Sequence, residues 1–250
     1  MEFSAKYAKI ASILALDAGE DMKAAKLLNS LLPKKEAAED LTRLARAIQG
    51  RCCIVYGAGP SLKKDIKAIK AARMHNEKRY VAIAADGAAK ALMEDGIVPE
   101  IHVTDLDGYP ENILEANKKG AITLVHAHGD NMKQLREIVP KLKNPIGTTQ
   151  LAPFGKLHNF GGFTDGDRCA YLAERFRAGM IILAGMDFGE EIGEYSGTYL
   201  PERKKKKLAI GKKLIEELAK DSAIPFLDVT TSSGCLANVT RILAQHLRGL

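Results

Sequence analysis

The chain has no tryptophan, four cysteines and no apolar run approaching the roughly 20 residues that span a bilayer, and each shortage removes a class of function. Without such a run no membrane-spanning segment is expected, and Met1-Glu2-Phe3-Ser4 carries an acid where a cleavable leader would carry basic residues. Cys52, Cys53, Cys169 and Cys235 show no C-x-x-C spacing, and the first two fall inside an apolar run where a small hydrophobe serves, so neither zinc nor a disulfide framework is expected. A P-loop, which needs Gly-Lys-Ser/Thr, is missing, and so is a complete G-x-G-x-x-G. One-sided charge is missing too: 37 Lys+Arg against 31 Asp+Glu give +6, with the basic residues spread along the whole chain. Such a balance suits a small anionic ligand without calling for nucleic acid. The expectation is a cytosolic protein with neither membrane nor nucleic-acid partners.

What is present is the composition of an ordinary globular chain: 250 residues, 46% hydrophobic and 27% charged, enough for one large domain or one with a small appendage. Over residues 2–48 apolar positions recur at helical spacing (Ile10, Ile13, Leu14, then Leu27, Leu28, Leu31, Leu32), break at Pro33 and resume with Leu41, Leu44, Ala45 and Ile48. An appended helical bundle over 1–49 is predicted. From Gly50 the rhythm changes. Apolar runs of strand length at 52–56, 80–84, 101–104, 121–125, 180–184 and 224–229 alternate with longer amphipathic stretches, as in βαβ units. Continuous rather than alternating apolar strands imply burial on both faces. Residues 50–250 are therefore expected to form an α/β domain with a mostly parallel, doubly wound, Rossmann-like sheet.

Ligands of such sheets bind beyond the carboxyl ends of the strands. Four loops place aspartates there: Ala84-Ala85-Asp86-Gly87, Thr104-Asp105-Leu106-Asp107-Gly108, His126-Ala127-His128-Gly129-Asp130-Asn131 and Phe163-Thr164-Asp165-Gly166-Asp167-Arg168. Carboxylates gathered at one rim can hold Mg²⁺ against a polyphosphate. Asp105 and Asp107, alternate residues leaving a strand end, can face one cation while Gly108 releases the chain into a turn; an Asx turn ahead of a helix at Pro110 is the bland alternative. His126 and His128 can likewise face one way, but a third nitrogen or sulfur ligand is missing, which favours hydrogen bonding to phosphate or substrate over zinc. Asp130 is either a ligand or the cap of a helix near Met132. Asp165 and Asp167 stand beside Arg168, whose guanidinium suits bidentate phosphate contact; an N-cap is again the alternative.

Three further segments qualify as site material. Gly57-Ala58-Gly59-Pro60-Ser61, the first βα loop, can bring amides close to a phosphate with Ser61 capping the next helix, or be a plain tight turn. Residues 189–199 are aperiodic and hold Gly193, Tyr195, Ser196 and Gly197, so they read as a lid or as a surface loop. The run Arg203-Lys204-Lys205-Lys206-Lys207, continuing to Lys212 and Lys213, reads as a solvated helix face or as a phosphate-binding surface.

Taken in order, Gly57–Ser61, Ala85-Asp86-Gly87-Ala88, Thr104–Gly108, His126–Asn131 and Gly162–Arg168 resemble the archaeal 6-hydroxymethyl-7,8-dihydropterin pyrophosphokinases, whose catalytic fold is similar to thiamine pyrophosphokinase. The resemblance spans about residues 50–200. It implies Mg²⁺-dependent transfer of diphosphate from ATP to the hydroxymethyl group of a dihydropterin, leaving AMP. In thiamine pyrophosphokinases a Gly-Asp-x-Asp-Ser loop holds Mg²⁺, and Thr104–Gly108 matches it with Thr for the first Gly and Gly for Ser. Their third acid comes from a later Thr-Asp before a helix, a place that Asp130 occupies by chain order and Asp165 by local pattern. The resemblance thus implies metal ligands among Asp105, Asp107, Asp130 and Asp165, and a nucleotide site from Gly57, Gly59, Ser61, Asp86, Asn131 and Asp167. Arg168, with lysines of 204–207, falls on the developing charge, and His126 or His128 is the nominated base. The pterin's amino-pyrimidinone edge calls for a carboxylate or amide, and Asp187, Asn131 and Asn159 qualify equally. A homodimer is compatible with this picture. Two other classes share parts of the pattern. Asp105-Leu106-Asp107-Gly108 also resembles the nucleophile loop of haloacid dehalogenase-type phosphatases, which normally opens the first strand of its domain and carries Thr or Val where this chain has Tyr109. A non-catalytic nucleotide- or nucleotide-sugar-binding module is the other.

Overall fold

The computed structural model describes residues 2–34, 36–72, 80–189, 191–197, 201–231 and 234–249. Three helices lead, α1 (Glu2–Leu14), α2 (Ala18–Leu31) and α3 (Ala37–Ile48). Strands and helices then alternate: β1 (Cys52–Tyr56), α4 (Leu62–Ala71), β2 (Tyr80–Ala85), α5 (Ala88–Glu94), β3 (Ile101–Thr104), α6 (Pro110–Lys118), β4 (Ile122–Ala127), α7 (Met132–Ile138), β5 (Ile146–Thr149), β6 (Leu157–His158), α8 (Asp165–Arg175), β7 (Met180–Ala184), α9 (Pro201–Asp221), β8 (Phe226–Asp228) and β9 (Thr240–Arg241). The strands form one sheet in the order β6-β5-β4-β3-β2-β1-β7-β8-β9, and every neighbouring pair is parallel. This is the expected doubly wound, Rossmann-like α/β architecture.

The pleat decides which helix each strand residue meets. Cys53, Val55, Val81 and Ile83 share a core with α3, α8 and α9, whereas their neighbours Ile54, Tyr56, Ala82 and Ala84 face α4 and α5. Both faces are dry, which is why these strands read as unbroken apolar runs. The N-terminal helices, expected as a bundle, go instead to three places on the sheet domain. Tyr7 and Ile10 of α1 pack with Phe163 and with Leu214 of α9. Ala24, Ala25 and Leu28 of α2 cover Val125, Ala127 and Leu135, while Leu44 and Ile48 of α3 enter the core beneath β1 and α8. Each carries an apolar stripe that the domain itself buries.

The chain leaves β1 toward β2 and winds outward to β6, then returns to lay β7 against the other side of β1. That reversal opens a crevice beyond the carboxyl ends of β1 and β7, the place where sheets of this kind take ligands. Among the described residues no helix is long and apolar enough to cross a membrane, and all four cysteines are free.

Candidate active site

A cavity of about 590 Å³ lies over this rim, within the range of small-molecule sites. Its centre is acidic. Oxygens of Asp86, Asp105 and Asp107 all lie within 4.8 Å of one another. The two acids after β3 converge because Leu106 between them adopts φ +69°, a left-handed conformation that an L side chain rarely takes. Thr104 pins that kink, its Oγ1 accepting from the Leu106 amide (2.9 Å) and donating to Asp86 Oδ1 (2.8 Å). Asp86 is itself at φ +40°. Backbone strain at Asp86 and at Leu106, between the other two acids, is the kind that persists where geometry serves a site. Gly108 completes the turn without a side chain; a Cβ there would stand 2.6 Å from Asp86 Oδ2.

Three crowded carboxylates cannot all be comfortably charged. Burial and then the Asp105 charge push Asp86 up to about 6, and burial with the charges of Asp105 and Asp86 carries Asp107 well above the usual carboxylate range. Burial alone would raise Asp105 as well, but the hydrogen bond from His128, the largest lowering influence, outweighs it and holds Asp105 low. An all-carboxylate oxygen set of this density suits a hard divalent cation such as Mg²⁺. The third carboxylate beside the Asp105–Asp107 pair is thus Asp86. Asp130 instead is exposed and bonds Arg203 at 3.4 Å.

The two histidines have separate fates. His128 Nδ1 accepts from the Asp130 amide (3.2 Å), so Nε2 carries the proton and donates to Asp105 Oδ2 (3.2 Å). His126, expected in the loop beside it, is the penultimate residue of β4 and points away. It is 1% exposed, contacts Thr148 Oγ1 and Gln150 Oε1, and does not line the cavity; burial, then the Arg168 charge, push it well below its ordinary value. Asn131 does not line the cavity either. Its Nδ2 donates to the Asp105 and His126 carbonyls, bracing the two loops against each other.

At the start of α8 the acids divide again. Asp167 is a cap: its carboxylate accepts from the amides of Phe163 and Thr164 and from Thr164 Oγ1. Asp165 faces the cavity, raised by burial and then by the Asp105 charge, and accepts from Arg168 Nη1 at 3.2 Å. Arg168, 8% exposed, also reaches Gln150 Oε1 with Nη2 (3.4 Å). Behind it stands a network that the sequence did not announce. Gln150 Nε2 donates to Asp21 Oδ2 (2.8 Å) and Tyr7 Oη (2.9 Å), Tyr7 donates to Asp21, and Asp21 Oδ1 accepts from the Gly129 amide (2.9 Å). The α1–α2 elbow therefore walls the cavity, with Leu14, Leu16, Asp17 and Glu20 lining it. No local motif marks these residues; only the fold brings them here.

The glycine loop after β1 also departs from expectation. Gly57 and Gly59 line the cavity, but their amides donate to Ala184 and Gly185 carbonyls, and the Ser61 amide and hydroxyl go to Asp187 Oδ2 (3.1 and 2.8 Å). An internal carboxylate occupies the helix start where a phosphate was expected. Residues 191–197 lie over this loop, Ser196 Oγ donating to the Ala58 carbonyl (3.0 Å); Glu190, Thr198 and Tyr199 of the expected lid lie outside the described residues. Of the basic run, Arg203, Lys204 and Lys207 line the cavity, Lys205 and Lys206 are exposed to solvent, and Lys212 and Lys213 pair with Glu216 and Glu217.

The family described as 6-hydroxymethylpterin diphosphokinase MptE-like matches residues 27–193. Over 238 residues the chain is 42% identical to a 6-hydroxymethyl-7,8-dihydropterin pyrophosphokinase of Methanocaldococcus jannaschii, covering 90% of this chain and 98% of that protein. The protein of the same description from Pyrococcus furiosus is 40% identical over 223 residues, covering 87% of this chain and 93% of that one. Its counterpart in Methanothermobacter thermautotrophicus is 54% identical over 143 residues, or 57% of this chain and 60% of that one. Among solved structures, a MAf glycosyltransferase of Magnetospirillum magneticum is similar at a TM-score of 0.53 and 16% identity, covering 86% of this chain and 40% of that one; this likeness is one of fold alone.

Proposed function

Since the chain belongs to the MptE-like 6-hydroxymethylpterin diphosphokinase family and is an enzyme of that kind, we propose that it moves diphosphate from ATP to the hydroxymethyl oxygen of 6-hydroxymethyl-7,8-dihydropterin and releases AMP. The observation that carries this reading is the meeting, in one cavity, of the Asp86–Asp105–Asp107 cluster with Arg168 and the basic start of α9. Cation-binding acids faced by fixed positive charges are what a polyphosphate requires. Mg²⁺ held by Asp86, Asp105 and Asp107 would neutralise charge on the phosphate oxygens. The alcohol oxygen bonds to the β-phosphorus as the bond from that phosphorus to the departing AMP oxygen breaks, and the alcohol's proton passes late to solvent, as a loose transition state allows. Arg168, fixed by Asp165 and Gln150, presents its guanidinium where charge accumulates on the transferred group. His128 is committed to Asp105 and His126 lies outside the cavity, so neither is assigned as base. A haloacid dehalogenase-type phosphatase would carry its Asp-x-Asp loop on the first strand of the domain, whereas here it follows β3.

The test is product analysis. With ATP, Mg²⁺ and the dihydropterin alcohol the expected nucleotide product is AMP, one per alcohol consumed. Stoichiometric ADP, or phosphate release without an alcohol, overturns the reading.

A further inference from the structure

We propose that Asp187 recognises the amino-pyrimidinone edge of the dihydropterin, and that the acceptor occupies the end of the cavity between the loops after β1 and β7, with the polyphosphate toward Arg168 and α9. This rests on the diphosphotransfer reading above. Asp187 is 6% exposed and lines the cavity. Its Oδ2 is taken by Ser61, but Oδ1 has no hydrogen-bond partner among the described residues. A buried carboxylate oxygen without a donor carries a desolvation cost that an incoming N–H group removes. Asn131 and Asn159 have no such vacancy: Asn131 braces the Asp105 loop, and Asn159 is spent on the Leu151 carbonyl and the Gly161 amide.

Charge decides which ligand fits. The neighbours whose charges act on Asp187 are Asp65 and Asp228, both acids, while Arg168 stands on Asp165, Arg203 on Asp130, and Lys207 acts on Asp165. Polyphosphate is repelled from the first group and drawn to the second. A neutral heterocycle remains for the Asp187 end. The dihydropterin presents two adjacent donors, the 2-amino group and N3–H, whereas adenine's corresponding edge sets an acceptor nitrogen beside its amino group and would turn a lone pair toward the carboxylate. Met186 and Phe188, flanking Asp187 in the lining, offer a thioether and a ring to a flat bicycle. Gly59 keeps the carboxylate in place, since a Cβ there would fall 2.1 Å from Asp187 Oδ2.

The proposal is tested by calorimetric titration of the full chain with 6-hydroxymethyl-7,8-dihydropterin, with its analogue bearing a carbonyl in place of the 2-amino group, and with ATP, each alone. The unsubstituted protein is expected to bind the amino compound at least about tenfold more tightly than the carbonyl analogue, which keeps N3–H but sets an oxygen lone pair against the carboxylate where the 2-amino group donates. Asp187→Asn keeps an oxygen for Ser61 but turns an N–H₂ toward the ligand, so its preference between the two pterins should reverse while its Kd for ATP stays within about twofold. Equal Kd values for the two pterins in the unsubstituted protein overturn the proposal without recourse to any variant. So does an Asp187→Asn protein with weakened ATP binding and unchanged pterin preference, which would make this the nucleoside end. If no pterin binds and ADP is the product, the diphosphotransfer reading fails, and the assignment of Asp187 falls with it.

Discussion

Asp86, Asp105, Asp107 and Asp167 all sit at strand or loop ends, yet the donors around each separate them. Asp167 is saturated by three donors at 2.5–2.9 Å, while the other three crowd one another. Asp86→Asn is accordingly expected to raise the Mg²⁺ concentration needed for half-maximal rate by about tenfold or more, and Asp130→Asn to leave it within about twofold, because the Asp130–Arg203 pair is exposed and screened. A Mg²⁺ titration of the two variants checks this, and a larger shift in Asp130→Asn would move the third ligand there. Arg168→Lys should lose on the order of ten- to a thousand-fold in kcat, corresponding to about 1.4–4 kcal/mol, since a point charge cannot reproduce the guanidinium fork. His126 bears on stability. Held neutral when folded, it takes up a proton in the unfolded chain as pH falls through its ordinary value of about 6.5, so the stability its burial protects is complete above that pH and is lost progressively below it. Denaturant unfolding at pH 7.5 and 5 should show a pH-dependent loss smaller by about 1–2 kcal/mol in His126→Gln than in the unsubstituted chain. The sequence offered ligand and cap as alternatives for Asp130 and for the Asp165–Asp167 loop without choosing between them, and it gave no sign that Asp86 joins Asp105 and Asp107, because Asp86 comes from a separate loop.

Strands and helices were the more legible level, because continuous apolar runs and 3.6-residue spacing are local properties. β1, β2, β3 and β7 fall where the apolar runs lie. β5 was missed because Ile146-Gly147-Thr148-Thr149 contains one large apolar residue, and the two-residue β6 and β9 lie at the outer end positions of the sheet, too short for any pattern. β4 runs through Ala127, which is why His126 turned out to be a strand residue. The contribution of α1 and α2 was illegible for a different reason, since Tyr7, Asp21 and Gln150 meet only in the folded chain. Their network orients the Gln150 amide: with its N–H₂ drawn to Asp21 and Tyr7, its oxygen is left for Arg168. Asp21→Asn should let that amide turn over and lower kcat by about tenfold, roughly 1.4 kcal/mol of transition-state stabilisation. Adding Gln150→Glu restores an acceptor toward Arg168 and is expected to recover most of the rate. A double variant no faster than the single one would reduce Asp21 to a structural residue.

For the whole molecule, the N-terminal helices belong to the same cores as the sheet, so a chain beginning at residue 50 is expected to lack a cooperative unfolding transition in circular dichroism and to bind an apolar dye through the surface that α2 and α3 leave bare. The sheet order carries a further consequence, for synthesis. Cys52 finds its partner Met180 only after most of the chain has been made, and the same reversal closes the Gly57–Gly59 loop onto Gly185. Until then β1, an interior strand of the finished sheet, is an outer one, with a row of unpaired amides and carbonyls open to any neighbouring chain. The crevice that defines the protein's chemistry is thus assembled late in translation, and until then the nascent chain carries an open strand edge at the place where the mature enzyme forms its site.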